Sequence, residues 1–168
     1  MTPERIQVQL YFQEETDLKA LIPTFHDWVR EEAVAGLLID VADYRHVPSG
    51  PGLLLMGHEG DYSVSNDNGR TVITYKHKRD WPTDDINDRV ALAVERAQTA
   101  AQLLTPATAE EVRVSFPDRL NAPNTVETFT EITPVVTAAV TTKFQHILNF
   151  LQVSLDPRHM FGVRGYPA

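Results

Sequence analysis

The stretch Gly52–Arg79, GLLLMGHEGDYSVSNDNGRTVITYKHKR, decides the fold class that the sequence predicts. Asn68 and Gly69 stand between two runs in which apolar and polar residues alternate. Both residues tolerate the positive φ angles that a two-residue type I′ turn requires. The stretch therefore predicts an antiparallel hairpin with residues 52–65 as one strand and residues 70–79 as the other.

A two-residue turn also predicts the register of this hairpin. The register pairs opposite charges across the strands, with Asp67 facing Arg70, Asp61 facing Lys76 and Glu59 facing Lys78. A slip of one residue would move every side chain to the other face of the sheet. The match of charges therefore favours the predicted register.

Further strands and helices are predicted outward from the hairpin. Apolar and polar residues alternate in strands at residues 5–12, 37–47, 111–116 and 150–156. Apolar residues recur at helical spacing in residues 16–33, 84–104 and 124–144. Thr16 and Asn124 are the expected N-caps of the first and third helices, and Pro23 either kinks the first helix or marks its first turn. The segment 143–151 either prolongs the third helix or joins the last strand.

The predicted order is strand, helix, three strands, helix, strand, helix, strand. Consecutive hairpins require antiparallel pairing, so we expect an α+β fold with a mostly antiparallel sheet of about six strands and the helices packed on one face. The length fits a single globular domain over residues 1–168, with a C-terminal tail from about residue 156.

Composition and charge exclude several classes of function. The 168 residues carry a formal net charge of -8, which repels nucleic acid and anionic lipid. There is no cysteine, so a disulfide framework and a thiolate metal site are excluded. No long apolar run and no signal-peptide pattern occurs, which predicts a cytoplasmic protein that is not inserted in a membrane.

The hairpin face suggests one candidate catalytic site. If the loop PSGPG has five residues, Val47 faces Leu53, and the even-numbered residues of the neighbouring strands share a face. Asp40, His58 and His77 then gather around Gly60. One histidine could act as acid or base with Asp40 orienting it, or the three could bind a metal such as zinc. The alternative is that they are hydrogen-bonded core residues without a catalytic role.

Candidate ligand-binding residues lie near this cluster and in one loop. Tyr44, His46 and Arg79 share the predicted face with it. Arg119 lies in the loop FPDRLNAPN, which leads from a strand into a capped helix, where an anion could bind. The alternative is that Arg119 forms an ion pair with Asp118 or another carboxylate.

The sequence lacks the Gly-x-Ser-x-Gly, His-Glu-x-x-His, paired Cys-x-x-Cys and Rossmann glycine motifs, and it does not identify a cofactor or a metal. We therefore predict a non-enzymatic module that binds a protein partner, a second copy of itself or a small anionic ligand. The alternative is a small metal-dependent or acid/base enzyme that uses Asp40, His58 and His77.

Overall fold

A computed structural model describes residues 2–168 of the chain. Its strands are β1 (Ile6–Phe12), β2 (Leu38–Tyr44), β3 (Gly52–Gly57), β4 (Gly60–Asp67), β5 (Arg70–His77), β6 (Glu111–Phe116), β7 (Ile147–Gln152) and β8 (Phe161–Pro167). Its helices are α1 (Ile22–Glu31), α2 (Ile86–Leu104) and α3 (Val126–Lys143), with a short 3-10 helix at Leu18–Leu21. No helix in the described residues combines the length and apolar character needed to span a membrane.

The strands form one antiparallel sheet in the order β2-β3-β4-β5-β1-β6-β8-β7. The α+β class and the antiparallel sheet are confirmed, but the sheet has eight strands and not about six. One extra strand arises because the run expected as a single strand turns back at His58 and Glu59. Gly57 and Gly60 allow this turn, since a Cβ on Gly57 would lie 2.3 Å from the Gly60 carbonyl oxygen.

The other extra strand, β8, lies in the segment expected as a C-terminal tail from about residue 156. It pairs with both β6 and β7, and Phe161 and Val163 are fully buried. Its two glycines and its proline weakened the strand pattern in the sequence. Packing requires Gly165, because a Cβ there would lie 2.6 Å from a side-chain carbon of Ile147.

The predicted register of the β4–β5 hairpin is confirmed. Asp67 pairs with Arg70 and Asp61 with Lys76, and the turn residues have φ angles of 50° at Asn68 and 80° at Gly69. The ion pair of Asp61 is formed diagonally, with Lys78 at 2.9 Å.

The predicted register of the β2–β3 hairpin is wrong. Leu53 pairs with Asp43 and not with Val47, so the loop runs from Arg45 to Pro51. Local contacts stabilise this longer loop: the amide of Val47 donates to the Tyr44 carbonyl, and Arg45 binds the Asp43 carboxylate.

Both predicted N-caps are wrong. The first predicted helix is divided into a short 3-10 helix capped by Asp17 and the helix α1, which starts at Ile22, and Thr125 and not Asn124 caps α3. Pro23 lies in the first turn of α1, where its missing N–H costs no helical hydrogen bond. The helix α3 ends at Lys143, and the following residues enter β7.

The helices cover one face of the sheet, which we call the helix face. Helix α1 packs near β2, α2 packs on β1 and β5, and α3 packs on β7 and β8. Strand residues pointing to this face are almost fully buried, among them Ile6, Val8, Leu10, Tyr62, Val64, Tyr75, Val112, Val114 and Val163.

The other face carries the alternate strand residues, and we call it the open face. It includes Gln7, Gln9, Tyr11, Ser63, Ser65, Arg70, Thr74, Glu111, Arg113, Ser115, Arg164 and Tyr166.

Candidate functional site

The structure does not bring Asp40, His58 and His77 together. Asp40 is exposed on the edge strand β2, on the open-face side. His58 lies in the β3–β4 turn, where its Nε2 is 2.5 Å from an Asp80 carboxylate oxygen. His77 is fully buried on the helix face. The turn at His58 separates these residues, because it sends the chain back along a new strand.

No metal centre is present among residues 2–168, where no group of three or more His, Asp or Glu side chains could hold an ion. The predicted ligand-binding residues are also dispersed. Tyr44 and His46 are exposed at the end of β2 and in the following loop, and Arg79 is exposed directly after β5.

Arg119 does not form the ion pair with Asp118 that was one of the alternatives. Its guanidinium donates to the Pro157 carbonyl at 3.3 Å. The Asp118 carboxylate instead accepts from the Glu4 amide at 2.8 Å and from Asn121. Arg119 is therefore an exposed cation that bridges two loops.

The ring of His77 belongs to a buried hydrogen-bond chain beneath α2. Arg96 donates to the Tyr75 oxygen at 2.8 Å, and that oxygen lies 2.7 Å from His77 Nδ1. Arg96 can only donate, which leaves the proton of the Tyr75 hydroxyl free to be donated to Nδ1; in that arrangement the proton of a neutral His77 is on Nε2. The Nε2 is buried without a hydrogen-bond partner, and the ring stacks on Trp81 at 3.6 Å.

Burial determines the charge states of His77 and Tyr75. Burial and the positive charge of Arg96 lower the pKa of His77 to about 4, and burial raises the pKa of Tyr75 to about 12. Both groups are therefore neutral near pH 7. A substrate cannot contact the His77 ring in this structure, because the ring has no exposed surface. The chain of hydrogen bonds stabilises the packing of α2 on the sheet.

The open face contains a polar cleft of about 360 Å³ beneath the β2–β3 loop. Its floor is made mostly of neutral hydrogen-bonding side chains on β1, β4 and β5, Asp67 at the end of β4 adds a carboxylate, and the loop residues Ser49–Pro51 form one wall. The floor residues include Gln7, Gln9, Ser63, Ser65 and Thr74. The cleft can therefore offer several donors and acceptors to a polar group.

Beside the cleft lies a group of charged and aromatic residues that we call the arginine–tyrosine cluster: Tyr11, Arg70, Glu111, Arg113, Arg164 and Tyr166. The guanidinium groups of Arg70 and Arg113 lie over the Tyr11 ring, 4.5 and 4.6 Å from its centroid. Both also donate to the carboxylate of Glu111, which is only 7% exposed. Burial raises the pKa of Glu111, but the hydrogen bond and charge of Arg113 and the charge of Arg164 outweigh it, so the pKa is lowered.

Arg164 has fewer partners than the other two arginines of the cluster. It lies directly opposite Arg113 on the neighbouring strand, and its guanidinium stacks on Tyr166 at 5.2 Å. It forms no ion pair within residues 2–168, and its Nε is buried without a hydrogen-bond partner. Glu111 is therefore the carboxylate that forms ion pairs with Arg70 and Arg113, while Asp67 faces Arg70 across the β4–β5 hairpin.

A second cleft, of about 420 Å³, lies on the helix side near the end of α2. Phe12, Val64 and Ile73 form an apolar floor, and Glu14 and Glu110 are among the rim residues. The Glu14 carbonyl already accepts from the Thr71 amide and hydroxyl. No buried polar atom without a partner faces this cleft, and nothing in it indicates an occupant.

The sequence contains part of the signal for the arginine–tyrosine cluster. Alternation in EVRVSF predicts that Glu111 and Arg113 point to the same side of a strand. Alternation in RIQVQLYF predicts that Tyr11 points to the polar side of its own strand, with Gln7 and Gln9. Arg164 could not be added, because FGVRGYP was expected to be a tail. The cluster also depends on the sheet order, which no local pattern reveals.

The open face thus combines a polar cleft with a cationic and aromatic cluster, whereas the histidines of the predicted site are separated. Antiparallel sheets often expose one face to water, so exposure alone does not indicate a function. Arg164, which forms no ion pair within residues 2–168, distinguishes this face from an ordinary solvated one. No protein-family model, curated protein or solved structure matches this chain, and the geometry of the open face is what supports a function.

Proposed function

We propose that this chain is a non-enzymatic binding module and that a second protein docks on its open face. The observation that carries the proposal is the arginine–tyrosine cluster beside the polar cleft. No helix of the described residues covers this surface, and α1, α2 and α3 all pack on the opposite one.

The side chains of the cluster are those that protein interfaces favour. Tyrosine and arginine dominate interface hot spots, because they bury a large area and keep a polar group for specific hydrogen bonds. Tyr11 is only 3% exposed, and the guanidinium groups of Arg70 and Arg113 lie over its ring, so a partner would contact these arginines and not the ring. A partner would therefore meet a surface whose side chains lose little further freedom on binding.

The alternative of an acid/base or metal-dependent enzyme has less support. Asp40, His58 and His77 do not line a common cleft, and each histidine ring already has a different partner. A second copy of this chain is a weaker candidate for the occupant, since a two-fold contact centred on the cluster would place arginines against arginines. Self-association therefore stays a prediction, which native mass spectrometry of the purified protein tests.

Site-specific photo-crosslinking tests the proposed docking surface. A benzophenone amino acid at Gln9 places the probe in the cleft, and the same amino acid at Glu95 places it on an exposed position of α2. In cells that produce the chain, we expect a discrete adduct from the Gln9 probe that is absent with the Glu95 probe.

A matched pair of substitutions decides whether that adduct reflects docking. Thr74→Arg fills the floor of the cleft, whereas Thr99→Arg makes the same change on the exposed side of α2. We expect Thr74→Arg to abolish the adduct at an unchanged melting temperature and Thr99→Arg to preserve it. Equal adducts from both probes, or an adduct that survives Thr74→Arg, would contradict docking on the open face.

A further inference from the structure

The cross-strand registers place a row of hydrogen-bond donors across the open face. Ser63 pairs with Thr74, Thr74 with Gln9, Gln9 with Arg113, and Arg113 with Arg164. Neighbouring strands are about 4.8 Å apart, so the row crosses the middle of the sheet in regular steps. It is neutral at the Ser63 end and cationic at the Arg164 end.

At the cationic end of the row, Arg113 and Arg164 lie directly opposite each other. Two like charges directly opposite each other on neighbouring strands destabilise a sheet, and arginine does not lose its charge at accessible pH. Arg113 is compensated by Glu111, which it shares with Arg70. Arg164 has no carboxylate of its own in the described residues, and its Nε lacks a partner.

The charges of the arginine–tyrosine cluster indicate which kind of ligand would bind there. The whole chain has a net charge of -8, yet the three arginines of the cluster outnumber the two nearby carboxylates, Glu111 and Asp67, which faces Arg70. An anion is therefore attracted to this part of an otherwise acidic surface. A planar carboxylate suits the guanidinium of Arg164, because its two oxygens can accept two parallel N–H hydrogen bonds.

We infer that Arg113 and Arg164 form an anion-recognition site and that the group bound there is a carboxylate from an acidic segment of the partner protein. This inference rests on the proposed function and identifies the chemistry of the partner. The row from Ser63 to Gln9 would hydrogen-bond the same segment where it crosses the cleft. Glu111 sets the geometry by holding Arg70 and Arg113 in place.

The first experiment uses a hexaglutamate peptide as the probe and hexaglutamine as the uncharged control. The Nε–H signals of the arginines are followed by ¹⁵N NMR during titration at low salt. We expect hexaglutamate to shift the signals of Arg113 and Arg164 and to leave that of Arg79 unchanged, because Arg79 is exposed elsewhere. Hexaglutamine should shift none of them.

Substitutions then identify the arginine responsible. We expect Arg164→Gln to weaken hexaglutamate binding by about tenfold or more, and Arg164→Lys to have an intermediate effect because it keeps the charge without the planar fork. Arg79→Gln is the matched control, and Arg119→Gln tests the loop that the sequence predicted to bind an anion. Circular dichroism melting identifies any variant that fails to fold, and Arg164→Lys then serves in place of Arg164→Gln.

Two outcomes would overturn the inference. One is hexaglutamate binding that is unchanged in Arg164→Gln or is lost in Arg119→Gln instead. The other is inorganic phosphate shifting the Arg164 signal at concentrations where acetate does not, which would assign the site to free phosphate.

The crosslinking experiment separates this inference from the proposed function. A Gln9 adduct that persists at full yield in Arg164→Gln would support docking on the open face and refute the carboxylate site. Hexaglutamate binding at Arg164 without a site-dependent Gln9 adduct would support the anion site and refute protein docking.

Discussion

Among residues 2–168, two side chains each have a buried nitrogen without a hydrogen-bond partner, but their surroundings differ. The Nε2 of His77 is enclosed beneath α2, and its imidazole is neutral because the pKa is lowered to about 4. The guanidinium of Arg164 is always charged and lies on the face that the helices leave uncovered. An unsatisfied buried donor costs about 1–3 kcal/mol. Packing offsets this cost at both nitrogens, and of the two side chains it is Arg164 that carries a charge.

The lowered pKa of His77 predicts a loss of stability in mild acid. The pKa is 6.5 in an unfolded chain and about 4 in the folded protein. Well above pH 6.5 the imidazole is neutral in both states; as the pH falls through 6.5 toward 4, the unfolded chain gains a proton that the folded protein excludes. We expect the free energy of unfolding to fall by about 2 kcal/mol between about pH 7.5 and about pH 5 through this residue.

Urea unfolding at both pH values measures this effect. His77→Gln removes the titrating group, so the variant should lose less stability over this pH interval, whatever its stability at pH 7.5. His146→Gln is the control, because His146 is partly exposed and bonds to the Ala109 carbonyl. An identical pH dependence in His77→Gln and the wild type would contradict the buried, neutral histidine.

At the scale of elements, β8 shows how a strand can escape detection. Its sequence FGVRGYP has the glycines and proline of a loop, yet it lies between β6 and β7 and is paired on both sides. Gly162 and Gly165 are required because neighbouring side chains occupy the space where a Cβ would lie. Partner strands override the weak intrinsic propensity of the segment.

Substitution of Phe161 tests the role of β8. The Phe161 side chain is fully buried and stacks on Phe116 at 5.7 Å. We expect Phe161→Ala to lower the free energy of unfolding by about 3 kcal/mol or more, since it leaves a cavity in the core. Met160→Ala is the control, because Met160 is 41% exposed and should cost less than about 1 kcal/mol. Similar stabilities of the two variants in urea unfolding would indicate that residues 161–167 form a tail and not a buried strand.

At the scale of the whole molecule, the first strand of the chain holds the sheet together. Strand β1 lies between β5 and β6, so both of its backbone edges are hydrogen-bonded. The strands at the two ends of the sheet, β2 and β7, each have one free edge and a register irregularity. Bulges at sheet edges disfavour edge-to-edge association with other chains.

This arrangement predicts a gradient of backbone protection across the sheet. Amides of Val8 and Leu10 in β1 should exchange most slowly in hydrogen–deuterium exchange, because their release requires global unfolding. Amides of β2 should exchange fastest among the strands. Equal protection of β1 and β2, measured by mass spectrometry at peptide resolution, would contradict the sheet order.

Local sequence patterns predicted correctly the features that depend only on residues close together in the sequence. Asn68 and Gly69 specify the turn through their own φ preferences, and the charges of Asp61 and Asp67 match the register they impose. The structure separates Asp40, His58 and His77 because the prediction extended one strand through His58 and assumed a loop of five residues. Each error concerned a point where the chain reverses, and a reversal changes which side chains share a face.

The sequence by itself determined the α+β class, the β4–β5 hairpin and the alternation that gives each strand one apolar side. These features follow from backbone preferences and periodicity, which act over a few residues. Only the tertiary structure decided the sheet order, the strand identity of residues 161–167, the burial of His77 and the position of Arg113 opposite Arg164. Pairing between distant strands depends on how the helices pack on one face, and that packing is a property of the whole chain.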